Sequence, residues 1–186
     1  MVDFTEENWL EKIERAIITP DIVPSILVSD GALEMKMFID CEYNSMGGQL
    51  LSMALVPEDT QFEPLYRELV VHEPIDEWVR ENVLMKMSQC QAGTSFVLPL
   101  TRNQFQSDLI LYLNQYDRIH IVADWPDDIK YFCDVLITGP GARIDTPPLT
   151  MEIRRDLDCT SQNPHHALAD ALAMRDKYLS VALSGK

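Results

Sequence analysis

The sequence predicts an α/β protein: a mixed β-sheet flanked by helices. Three observations predict it. Residues 33–71 hold three strand-like runs divided by turn and proline signals. RIHIVAD, 118–124, is a short continuous apolar run of the kind buried on both faces of a sheet. Around it stand segments with helical start and stop signals, so strands and helices alternate in the second half.

The elements follow in order. Residues 5–18 read as a helix, with Thr5 able to cap and Glu6 and Glu7 in the first turn. TPDIVPSILVSDG reads as a connector, so 1–34 form an N-terminal helix and connector of unknown role, ahead of a domain over 35–186. A first strand spans Leu33 to Cys41. Gly47 and Gly48 make a turn, and QLLSMALV returns as a second strand. LYRELVV is a third. PIDEWVRENVLMKM reads as a helix with Pro74 near its start, and TRNQFQSDLILYLNQY as another. DDIKYFCDVLI is a helix with acids in its first turn, Asp127 serving as N-cap. ITGPGARIDTPP reads as loop, LTMEIRRDL as a short strand, and ALADALAMRDKYLSVAL as a helix stopped by Gly185. Three strands in a meander, then helices alternating with further strands, suit a ribonuclease-H-like architecture.

Bulk properties narrow the function. The chain has 186 residues and a net charge of −15, which argues against an extended nucleic-acid-binding track, since phosphate binding shows as excess Lys and Arg. A small phosphate-handling site remains open if carboxylates there hold divalent cations and invert the local sign. No apolar run reaches the roughly 18 residues of a membrane span. The early acids are unlike a secretory signal. Cys41, Cys90, Cys133 and Cys159 stand far apart without a CxxC pair, as free thiols in a reducing cytoplasm would.

Three stretches carry the chemistry. In FIDCEY, 38–43, strand alternation puts Asp40 and Glu42 on one face, about 7 Å apart along the strand. An isolated acidic pair is ordinarily a solvated edge. Here Met37, Phe38 and Ile39 mark a central strand, where unpaired carboxylates are costly and a divalent cation between them removes the cost. Oxygen ligands favour Mg²⁺ or Mn²⁺. In ADWPDDIKYF, acids at 124, 127 and 128 open a helix, a placement the helix dipole favours by itself. In NPHHALADA, His165 and Asp170 are five apart and converge only if His165 lies in the lead-in to the helix, which Pro164 favours.

In this order the stretches resemble the DEDDh 3′–5′ exonucleases, a ribonuclease-H-like superfamily. DCEYNSMGGQLLSMALV is similar to a branch of small bacterial and phage exoribonucleases. The resemblance covers about residues 35–180. Carried over by position, Asp40 and Glu42 match the first motif, Asp128 the middle acid, and His165 and Asp170 the last. Asp124 stands where the family has Asn, and Asp127 where it has an aromatic residue, so Asp124 is the alternative middle acid.

What the resemblance implies is a two-metal phosphodiesterase with Mg²⁺ or Mn²⁺, two ions per site. Asp40 would bridge the ions, Glu42 and Asp170 would ligate one, and Asp128 would complete the other. His165 would take the proton from the attacking water, and a histidine titrates near neutrality. The partner would be the 3′ end of RNA or single-stranded DNA; a homodimer also fits the family. Tyr43 and Met46 are the candidates for stacking on terminal bases. Arg102, Lys130, Arg143, Arg154 and Arg155 are candidate phosphate contacts. Two other readings use the same residues: a non-catalytic ribonuclease-H-like protein-interaction module, and a hydrolase of nucleotides or very short oligonucleotides.

Overall fold

The computed structural model describes residues 34–87 and 98–184. The helix expected over 5–18, its connector, Cys90 and Gly185 lie outside the described residues. The chain enters on β1 (Glu34–Tyr43), β2 (Leu50–Pro57) and β3 (Leu65–Glu68), and passes through α1 (Glu77–Val79), α2 (Arg102–Leu113), β4 (Arg118–Ala123) and α3 (Pro126–Leu136). A small hairpin of β5 (Ile137–Gly139) and β6 (Ala142–Arg143) leads to β7 (Leu149–Ile153), and the long α4 (Ala167–Ser184) follows.

Five strands form one sheet in the order β3-β2-β1-β4-β7, with β1 at its centre. The meander is antiparallel, whereas β4 runs parallel to β1 and β7 parallel to β4. The protein is thus α/β, with a mixed five-stranded sheet flanked by four helices among the described residues. This arrangement is compatible with a ribonuclease-H-like fold.

Alternation along β1 divides the core. Met35, Met37, Ile39 and Cys41 pack with Phe105 and Leu109 of α2 and Phe132 and Val135 of α3. Phe38 points to the opposite face, where it meets Ala167, Ala171 and Met174 of α4. Each large side chain fully buried in these layers contributes about 1.5–3 kcal/mol. Asp40 and Glu42 share the parity of Phe38 and therefore belong to the face that α4 covers.

Several local expectations are corrected. β1 runs to Tyr43, two residues beyond the expected end, because it pairs with β2 as far as Leu50. The helix expected over 74–87 is a short α-turn capped by the Asp76 side chain, followed by a π-helical segment, Arg80–Leu84. The loop expected over 137–148 contains the β5–β6 hairpin. Asp127 is not the N-cap of α3: Trp125 holds that position, Pro126 opens the helix, and Asp127 sits in the first turn. α2 begins with a capping box in which Thr101 and Gln104 satisfy each other's backbone N–H groups.

Candidate active site

The last β1–β4 register pair is Phe38 with Val122, so β1 outruns its parallel neighbour. Asp40 and Glu42 sit on that overhang, beyond the carboxyl end of β4, where open α/β sheets place their ligand crevices. The Cys41 N–H turns to α3 and donates to Asp128 Oδ1 at 3.0 Å. This bond ties the first turn of α3 to the strand that carries the acidic pair.

Four elements converge here. Asp40, Glu42 and Asp170 place carboxylate oxygens within 4.8 Å of one another, and so do Asp40, Asp124 and Asp128. Asp40 belongs to both groups. The middle-acid alternatives therefore do not exclude each other in space: Asp124 and Asp128 both reach Asp40. Asp128 is the more buried, at 3% exposure, and the one held by β1.

The electrostatics are those of acids crowded together with little counter-charge: Lys86 acts on Glu42 and Arg155 on Asp124. Burial, reinforced by Asp128, Glu42 and Asp170, pushes Asp40 well above the usual carboxylate range. Burial and then Asp170 and Asp128 push Glu42 up to about 8, with Lys86 pulling the other way. Asp128 is also pushed up to about 8, by burial and Asp124, against the Cys41 N–H. Asp124 is raised by burial and then by Asp158. Asp40 Oδ2 and Asp128 Oδ2 are buried with no hydrogen-bond partner. Buried orphan carboxylate oxygens are costly, and hard divalent cations take such oxygens as ligands. The donor set fits that chemistry.

The lead-in to α4 has the geometry the HxAxxD spacing requires. α4 starts at Ala167, so His165 precedes the helix, in the left-handed region at φ 64°. Asp170 folds back, and its Oδ2 accepts the N–H of His165 at 2.8 Å and of His166 at 3.3 Å. The His165 imidazole is exposed and lines the same cleft as Asp40, Glu42, Asp128 and Asp170. The Trp78 and His165 rings meet nearly at right angles, at a centroid distance of 5.1 Å. Lys86 Nζ donates to the Pro164 carbonyl, one residue ahead.

The cleft has a volume of about 490 Å³, and Tyr43, Met46, Trp78 and Trp125 all line it. Met46 is 96% exposed at the tip of the β1–β2 turn. Tyr43 is half-buried, stacked on Tyr131 at 4.7 Å, with its hydroxyl 3.5 Å from Asp127 Oδ2. Arg155 stands beside the cleft, its guanidinium 4.4 Å above the Trp125 ring and donating to the Asp124 carbonyl. Arg154 is held by Asp156 and Glu152, and Arg143 donates to the Ile144 carbonyl.

Two contributors were not singled out by sequence reasoning. One is Trp78, whose only signal was an aromatic residue two positions after a helix cap. The other is Asn44, whose amide donates to Glu73 Oε1 and the Pro74 carbonyl and whose Oδ1 accepts the Asp76 N–H. Those three bonds set where α1, and hence Trp78, begins. No protein-family model matches the chain, and no curated protein matches its sequence.

Proposed function

We propose that the protein is a metal-dependent 3′–5′ exonuclease that hydrolyses phosphodiester bonds at the 3′ end of RNA or single-stranded DNA with two Mg²⁺ or Mn²⁺ ions. The observation that carries this reading is the sharing of Asp40 by two carboxylate groups. A single acidic patch needs no such partition, whereas a pair of adjacent cations needs a ligand common to both. Bound there, the ions would supply Lewis-acid polarisation of the phosphate and a water of lowered pKa.

The chain's own residues do the rest. Glu42 and Asp170 complete one group with Asp40, and Asp128, with Asp124 beside it, completes the other. His165, held by the Asp170 carboxylate through its backbone, takes a proton from the attacking water. The water oxygen joins phosphorus as the bond to the penultimate 3′-oxygen breaks. A nucleoside 5′-monophosphate leaves, and the strand's 3′-oxygen takes a proton from solvent to become a free 3′-hydroxyl. Tyr43 and Met46 flank the cleft as surfaces for the terminal bases. The free thiols of Cys41, Cys133 and Cys159 suit a reducing, cytoplasmic setting. No helix among the described residues is long and apolar enough to cross a membrane.

The test is incubation with Mg²⁺ or Mn²⁺ and 5′-labelled RNA and DNA, single- and double-stranded, down to dinucleotides. Stepwise shortening from the 3′ end is the expected result. Cleavage confined to dinucleotides points to a hydrolase of very short oligonucleotides. Absence of metal-dependent cleavage overturns the proposal and leaves a non-catalytic module.

A further inference from the structure

A second cleft, of about 290 Å³, lies on the far side of the β1–β2 turn, and its charge is opposite to that of the first. The catalytic cleft is lined by Asp40, Glu42, Asp76, Asp127, Asp128 and Asp170. The second is lined by Arg102, Lys130 and His72, with Asp134 its acid. In a chain of net charge −15 this pairing of cations in a concavity runs against the surface average.

The two clefts are joined. Ser45 and Met46 line the first, and Gly47 and Gly48, the next two residues, line the second. Tyr43 of the first is stacked on Tyr131 of the second, and the Tyr131 hydroxyl donates to the Gly48 carbonyl at 2.8 Å. The wall between them is therefore one aromatic pair and one turn, pinned together. The cations are also placed. Arg102 donates to the Asp134 and Ile137 carbonyls at the end of α3, which orients its guanidinium without neutralising it. Lys130 lies 3.9 Å above the Tyr131 ring and 3.7 Å from Asp134, with about half its side chain exposed.

We propose that this second cleft is the subsite for the upstream part of a single-stranded RNA substrate. The strand leaves the catalytic cleft across the 45–48 turn and lays its backbone phosphates on Lys130 and Arg102. This deepens the exonuclease reading and rests on it. A chain with so acidic a catalytic cleft holds its terminal nucleotide through cations there, and needs a separate basic surface for phosphates beyond the reach of those ions.

The experiment compares the native chain with Lys130→Ala and Lys130→Glu on a dinucleotide and a hexanucleotide RNA in Mn²⁺. It also measures hexanucleotide binding by fluorescence anisotropy at several salt concentrations, with Asp40→Asn as background so that the RNA stays intact. Lys130 is a surface residue, so both variants are expected to fold. Arg102→Lys, which keeps the charge and loses the fork, is a second variant. The expected result is a loss of about fivefold or more in hexanucleotide kcat/KM for Lys130→Glu, with a much smaller change on the dinucleotide. The slope of log Kd against log salt should shrink by about 0.7 in Lys130→Ala. Equal effects on both lengths, or an unchanged salt slope, overturn the subsite while 3′-end cleavage by the native chain still stands. A native chain that shortens no RNA overturns the subsite, and one that shortens neither RNA nor single-stranded DNA overturns the exonuclease reading as well.

Discussion

Asp40 is the side chain on which both carboxylate groups depend, and its energetics separate its role in binding from its role in the fold. Asp40→Asn removes the shared ligand and a buried like charge together. Activity should fall by more than about 1,000-fold, over about 4 kcal/mol in the barrier. The thermal midpoint in chelator should hold or rise, because repulsion is relieved. A purified, folded Asp40→Asn protein with native activity would contradict the two-group site. Asp124 and Asp128 make a finer contrast. Asp128 has the buried orphan oxygen and the bond from Cys41, so Asp128→Asn should lose more activity than Asp124→Asn; kcat/KM of the two variants decides it. At Gly48 the turn leaves no room: a Cβ there would lie 1.6 Å from the Asn44 carbonyl oxygen. Gly48→Ala should cost about 1–3 kcal/mol in denaturant unfolding and disturb the turn between the two clefts.

The elements place these residues by ordinary rules. β1 is long enough to pass β4, and that overhang makes the crevice; a β1 ending at Cys41, as its sequence pattern predicts, would leave Tyr43 outside the sheet. The paired acids on one strand face were legible, because side chains alternate with period two and Met37, Phe38 and Ile39 mark a buried strand. The lead-in position of His165 was legible from its five-residue spacing to Asp170, which an ideal helix would not bring together. The π-helical segment at 80–84 was not legible, since its residues have the same apolar pattern an α-helix would have. Nor was the cap of α3, because a Pro that opens a helix and an Asp one residue on are both valid starts. The capping box of α2 gives a clean check at this scale. Thr101→Ala should lower stability by about 1 kcal/mol, read as a midpoint drop of about 2–4 °C.

At the scale of the molecule, the crowded acids link folding to pH and, if they hold the proposed cations, to divalent ions. Glu42 and Asp128 titrate at about 8 in the folded chain and near 4 when unfolded. The folded state thus binds these protons more tightly. Their contribution to stability is present below about pH 4 and is lost as pH rises towards 8. In chelator, the thermal midpoint should fall between pH 5 and pH 8.5. Adding Mn²⁺ at pH 8 should restore it, by about 2.7 kcal/mol at a hundredfold excess over Kd. A midpoint that ignores Mn²⁺ at pH 8 would show that the carboxylates hold no ion there.

The sequence by itself determined the α/β class, the meander, the parity that pairs Asp40 with Glu42, and the lead-in placement of His165. Each of these follows from local periodicity, turn chemistry and spacing, which act over a few residues. Only the tertiary structure decided that Asp124 and Asp128 both reach Asp40, that Trp78 meets His165, and that Arg102 and Lys130 share a cleft behind Tyr43. Those are contacts between segments 28 to 88 residues apart, set by how far one strand outruns another and how helices seat on the sheet, and no local pattern encodes such distances.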